Sequence, residues 1–250
     1  MNKTKIDWCD SSWNPVTGCL HDCEYCYARS IAHRFTGGGE EWESAEKICL
    51  FEPLIDYKTE KRLAYPYGFK PTLHVYRLNE YEKKKSRNIF VCSMADLFGS
   101  WVPDDWCETV FKSCDTAPQH NYLFLTKNPA RYAELVARGL LPKKDNMWYG
   151  FSCTRPGYTG WFNKGFHTFV SIEPLLEPFK NVPLMVDWVI VGAETGRRKD
   201  KVVPKREWIE DIVKQCAVFH IPLFMKSSLS EIWGEPLIRE FPEQLRRSGI

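Results

Sequence analysis

Asn121-Tyr122-Leu123-Phe124-Leu125-Thr126 is an apolar run bounded by polar residues, and a helix-like stretch, Asn128 to Arg138, follows it and stops at Gly139. Continuous rather than alternating apolarity marks a strand covered on both faces, as in parallel sheets. The pattern repeats outward in both directions. Asn88–Ser93, Met147–Ser152, His167–Ile172, Asp187–Gly192 and Ile221–Met225 read as further buried strands. Asp104 to Ala117 and Lys205 to Phe219 carry apolar residues at helical spacing. Strands alternating with amphipathic helices over short loops are βαβ units.

Upstream, Trp13-Asn14-Pro15-Val16-Thr17 reads as a short first strand interrupted by proline, and Tyr27–Thr36 as a helix with Ala28, Ile31, Ala32 and Phe35 on one face. The expectation is an α/β chain: one domain over 1–250, a partial or irregular (β/α) barrel of about six to seven parallel strands. Residues 40–87 break the rhythm and read as an elaboration between strands one and two.

Composition sets limits. The 250 residues are 44% hydrophobic and 26% charged, with a net charge of +2. This is globular material, and the charge is too mild to argue for nucleic acid by itself. The start, Met1 to Trp8, lacks the apolar region of a signal peptide, and no apolar run approaches the ~18 residues of a membrane span. A cytoplasmic location without membrane contact is expected. A secreted disulfide scaffold fits poorly with a chain of this length and its long apolar strands, despite ten cysteines.

The informative cysteines are in Gly18-Cys19-Leu20-His21-Asp22-Cys23-Glu24-Tyr25-Cys26-Tyr27, spaced C-x3-C-x2-C. Thiolates ligate iron–sulfur clusters, and three leave one iron of a cubane open to a further ligand. Zinc is an alternative, with His21 as a fourth ligand, although no second C-x2-C exists. Three unrelated core cysteines are another. Of the rest, Cys92, Cys114 and Cys216 sit in apolar patterns and read as core, while Trp8 and Trp13 are expected to shield the cluster.

This segment resembles the signature of the radical SAM superfamily, including the aromatic Tyr25 before the third cysteine. The phrases Trp13–Cys19, Phe90–Phe98, Leu125–Lys127, Ser171–Leu176 and Val191–Gly196 are similar to a phage-associated radical-SAM-like family of unassigned substrate. The resemblance implies a 4Fe–4S cluster on Cys19, Cys23 and Cys26 and S-adenosylmethionine (SAM) on its open iron. It also implies reductive cleavage to a 5′-deoxyadenosyl radical that abstracts hydrogen from a substrate, with a flavodoxin or ferredoxin as reductant. The shortness of the chain leaves room for a dedicated partner protein. A non-catalytic zinc- or cluster-stabilised binding module, or a redox-sensing iron–sulfur protein, stands as an alternative.

In α/β barrels the working face lies at the C-terminal ends of the strands. Polar groups there are Ser93, Asp96, Thr126, Lys127, Glu173, Glu194 and Lys226. Ser93-Met94-Ala95-Asp96 stands where the resembled family meets the SAM amino group, and Gly38-Gly39-Glu40 is a decoy after the first helix. Lys127 is a candidate for the SAM carboxylate. The family's adenine element is partly present in Ile190-Val191-Gly192-Ala193-Glu194, so backbone contact from Val189–Gly192 is expected, with Tyr27 near adenine. Gly196-Arg197-Arg198-Lys199-Asp200-Lys201 places cations beside this face, which suits a phosphate-bearing or nucleic-acid substrate.

Overall fold

A computed structural model describes residues 4–36, 48–156, 163–180, 184–196 and 198–246. Seven strands form one wholly parallel sheet: β1 (Ser11–Trp13), β5 (Asn88–Val91), β6 (Asn121–Thr126), β7 (Met147–Ser152), β8 (His167–Ile172), β9 (Trp188–Val191) and β10 (Leu223–Met225). Their spatial order is the chain order. Helices α2 (Asp104–Asp115), α3 (Ala130–Ala137) and α4 (Arg206–Val218) lie between successive strands, and a short α5 (Ser230–Trp233) follows β10. The expected α/β architecture of six to seven parallel strands is therefore present.

Alternation along each strand separates two apolar layers. Val91, Tyr122, Phe124 and Tyr149 pack outward with Trp106, Val110 and Phe111 of α2. Further along the sheet, Val170, Val189 and Leu223 pack with Ile209 and Ile212 of α4. The opposite face gathers Phe90, Leu123, Trp148, Phe169, Trp188, Ile190 and Phe224, one or two from each of six strands, into a single cluster with Trp8. The Trp8 ring lies 4.7 Å from Phe90 on β5, 6.1 Å from Phe169 on β8 and 6.2 Å from Trp188 on β9. In a flat sheet β5 and β9 would stand ~19 Å apart, four strand spacings. One indole touches both because the sheet curls into a partial barrel around it.

The chain ends close the floor of that barrel. Asn88 Nδ2 donates to the Leu245 carbonyl at 2.8 Å and Asn121 Nδ2 to the Gln244 carbonyl at 3.0 Å. Residues 238–240 run beside β10, with Met225 N–H donating to Ile238 O at 2.8 Å and Glu240 N–H to Leu223 O at 2.9 Å. This covers the row of polar groups that an edge strand would otherwise expose.

The first strand departs from expectation. Pro15, which has no N–H to give a ladder, splits it. Ser11–Trp13 joins the main sheet, whereas Val16–Thr17 forms β2, antiparallel to β4 (Thr72–His74), which in turn pairs in parallel with β3 (Ile48–Leu50). The elaboration thus supplies two strands of a second, three-stranded sheet. Helix α1 (Tyr27–Arg34) follows the cysteine segment. Gly38-Gly39-Glu40 and Arg197 lie outside the described residues.

Candidate active site

The cysteine loop leaves β2 through Gly18, at φ +88°, where a Cβ would sit 2.1 Å from the Lys70 carbonyl oxygen. Only glycine turns the chain in that space. Gly18 N–H donates to Met94 O at 2.9 Å and Cys19 N–H to Phe69 O at 3.1 Å, fixing the start of the loop to both sheets. At its end Cys26 caps α1, its Sγ accepting from Arg29 N–H at 3.4 Å, so the positive end of the helix faces this sulfur.

All three thiols are half-buried. Burial pushes the Cys19 thiol up to about 12, and Asp96, Cys23 and Cys26 add to that rise as neighbouring negative charges. Burial also raises Cys23, opposed first by the Lys127 ammonium. Among the described residues, no three His, Cys, Asp or Glu side chains stand as a set that would hold a metal ion. Ala28, Ala32, Phe69 and Met94 form the apolar cradle against which Cys19, Cys26 and Tyr65 pack. The expected shields lie elsewhere: Trp8 is in the floor, and Trp13 packs outward on Tyr81 and Tyr122, each 6.2 Å away. Indole size alone did not distinguish a cluster shield from a core anchor.

Asp96 joins the loop to the strand ends. Its buried carboxylate accepts from Thr126 Oγ1 at 2.7 Å, from Lys127 N–H at 2.9 Å and from Phe98 N–H at 3.0 Å. The remaining contact is His21 Nε2 at 2.7 Å, inside the cysteine loop. Lys127 Nζ donates to the Tyr25 hydroxyl at 3.3 Å and lies 5.1 Å from that ring's centre. Ser93 Oγ and Met94 N–H both reach Asn14 Oδ1, at 3.1 and 2.9 Å. Tyr27 donates its hydroxyl to the Ser93 carbonyl at 2.9 Å. The residue is half exposed; desolvation, with the Glu173 charge next, pushes its phenol upward. The mouth thus brings Ser93, Asp96, Lys127, Tyr25 and Tyr27 against the cysteine loop, with Glu173 in electrostatic range.

On the far wall, Glu173 after β8 pairs with Lys226 after β10. The pair closes over Gly192, where a Cβ would meet Lys226 Cδ at 3.0 Å and Glu173 Oε1 at 3.3 Å. The expected backbone contacts for adenine are already engaged here. Gly192 N–H donates to Ile172 O at 3.1 Å, Ala193 N–H donates to Ser228 Oγ at 3.0 Å, and the Ile190 side chain is buried in the floor layer. Glu194 is held by Arg198 through two bonds, Nε to Oε1 at 2.7 Å and Nη2 to Oε2 at 2.8 Å. Those bonds hold its carboxyl below the usual range. Both Glu194 oxygens are therefore engaged by Arg198 in this structure. The same guanidinium reaches Glu24 Oε2 at 3.3 Å, so this member of the basic loop is not free for phosphate.

Sequence reading missed the roles of Asn14, Glu24 and Phe69. Asn14 follows β1 directly only once the structure ends that strand at Trp13, and nothing in the sequence marked any of the three. A cleft of about 840 Å³ lies at the opposite end of the strands, lined by His220, Leu223 and Phe241 among others, away from the cysteines.

Residues 3–240 match the family described as "Protein of unknown function (DUF5131)". The chain belongs to this family. Its description gives no activity. No curated protein matches the chain. A solved structure described as "Spore photoproduct lyase complexed with dinucleoside spore photoproduct" matches with a TM-score of 0.45 and 11% identity over 86% of this chain. The match spans 62% of that longer chain, and a likeness this low does not bear on what the DUF5131 protein does.

Proposed function

We propose that this DUF5131 chain is a radical SAM enzyme, with Cys19, Cys23 and Cys26 holding a 4Fe–4S cluster. What supports the reading is a C-x3-C-x2-C loop tied to the C-terminal strand ends of a partial (β/α) barrel, through Gly18 to Met94 after β5 and through His21 to Asp96, which also binds Thr126 at the end of β6. The donor chemistry suits the group, with three half-buried thiols beside an apolar cradle and a lysine ammonium near Cys23, although the three are not gathered as a single metal ion would hold them. When bound, such a cluster supplies one electron that cleaves a carbon–sulfur bond of SAM and yields a 5′-deoxyadenosyl radical.

The chain's own residues supply placement. Asp96 fixes His21 and the Lys127 backbone, so the loop and the β6 end move together. Lys127 offers a positive charge to an anionic group beside Cys23. Phe69, Met94 and Tyr65 exclude water from the loop's inner side. The Glu173–Lys226 pair presents both an acceptor and a donor to a polar substrate. A reductant protein and a reducing cytoplasm belong to this reading. No helix among the described residues is long and apolar enough to cross a membrane.

The test is anaerobic reconstitution followed by metal analysis and electron paramagnetic resonance of the reduced protein, with and without SAM. About four irons per chain, a spectrum that changes with SAM, and 5′-deoxyadenosine as product are expected. Zinc without SAM affinity would identify a binding module. A redox-active cluster indifferent to SAM would identify an electron-transfer or sensing protein.

A further inference from the structure

We propose that Arg198 is a positioning residue for the cysteine loop, a role that rests on the cluster reading above. Its guanidinium has one firm end and one adjustable end. The firm end is the two-point contact with Glu194, whose side chain is 2% exposed at the end of β9. The adjustable end is Glu24, 81% exposed and adjacent to Cys23. A planar fork can make both contacts at once, which the single ammonium of lysine cannot reproduce.

Other contacts tie the loop to the opposite wall. Cys19 is bound to Phe69, His21 to Asp96 and Tyr25 to Lys127. Each leads to the smaller sheet or to the ends of β5 and β6. Glu24–Arg198 leads across the mouth to β9. With both sides held, the distance between the loop's thiols and the end of β9 is fixed. A ligand reaching from one to the other meets a gap of set width. Without Arg198 the Cys23–Cys26 half of the loop is held from one side only.

The first test uses the metal-free 250-residue chain, so it does not depend on the cluster. Alkylation by iodoacetamide is followed at each cysteine by peptide mass spectrometry in wild type, Arg198→Ala, Arg198→Lys and Glu24→Gln. Cys23 and Cys26 are expected to react about five-fold faster or more in all three variants, with Cys19 and buried Cys216 unchanged, because only one stretch is released. Arg198→Ala and Glu24→Gln alter local charge in opposite senses, so a shared rise reports loosening. Glu24 is on the surface, and its variant keeps the fold. Unchanged rates at Cys23 and Cys26, or an equal rise at every cysteine, would overturn the proposal. The second test uses reconstituted protein: KM for SAM is expected to rise about ten-fold in Glu24→Gln with kcat for 5′-deoxyadenosine little changed. A KM equal to wild type also overturns it. A wild-type chain that takes up no iron defeats the cluster reading instead, whatever the alkylation rates.

Discussion

Asp96 is the residue on which most of the mouth converges. Its carboxylate meets two backbone N–H groups, one hydroxyl and the His21 ring. Asp96→Ala leaves those donors facing a buried gap, which is expected to cost about 2–4 kcal/mol in denaturant unfolding. The loss of SAM-dependent spectral change should exceed what that destabilisation explains. His74 yields a pH prediction. It is fully buried, bonds Thr17 Oγ1 at 2.8 Å, and burial lowers its pKa from 6.5 to about 3. Between those values the unfolded chain binds a proton that the folded chain does not. This contribution to stability is therefore whole above about pH 6.5 and declines as pH falls toward 3, by up to ~1.4 kcal/mol per pH unit. His74→Gln should flatten that part of the stability curve. At this scale the cysteine triplet stood out by its spacing and Asp96 by its position just beyond an apolar strand, and the structure joins the two through His21. The pairing of Glu194 with Arg198 was not legible, because a sequence does not reveal that an arginine four residues on in a loop will meet both oxygens.

Among the elements, the long strands were the most legible. β6, β7 and β8 have the expected bounds, since each is a six-residue apolar run with both faces covered. Short elements were not. The stretch Trp13–Thr17 holds the ends of two strands in two sheets, because Pro15 ends one ladder and Gly18 turns the next. Local pattern identifies the breaker and not the partner on either side of it. The turn at Gly18 makes its own prediction. Gly18→Ala adds a methyl where the Lys70 carbonyl already stands and strains a positive φ. It should cost at least ~2–3 kcal/mol in thermal unfolding and reduce iron uptake, the second effect exceeding that of equally destabilising substitutions in α2.

For the whole molecule, curvature is set from inside. Trp8 touches β5, β8 and β9 together. Trp8→Ala should cost about 3–5 kcal/mol, measured by denaturant unfolding with the near-ultraviolet dichroism of Trp188 and its neighbours as a second probe. Parallel strands and their order could be anticipated from βαβ alternation. So could the partial barrel, from the number of those strands; the ring that fills its floor could not, because it is one residue near the start of the chain meeting side chains up to 180 positions later.

The smaller sheet makes the cysteine motif poorly portable. Its loop is seated by the Lys70 carbonyl under Gly18 and the Phe69 carbonyl on Cys19, both contributed by the insertion between β1 and β5. Engineers who transplant Gly18–Tyr27 onto another barrel would move the ligands without their mounting, and those who trim the insertion to reach a minimal scaffold would discard the mounting itself. The transferable unit is Val16–Arg34 together with Phe69–His74, two stretches far apart in the chain that form one seat.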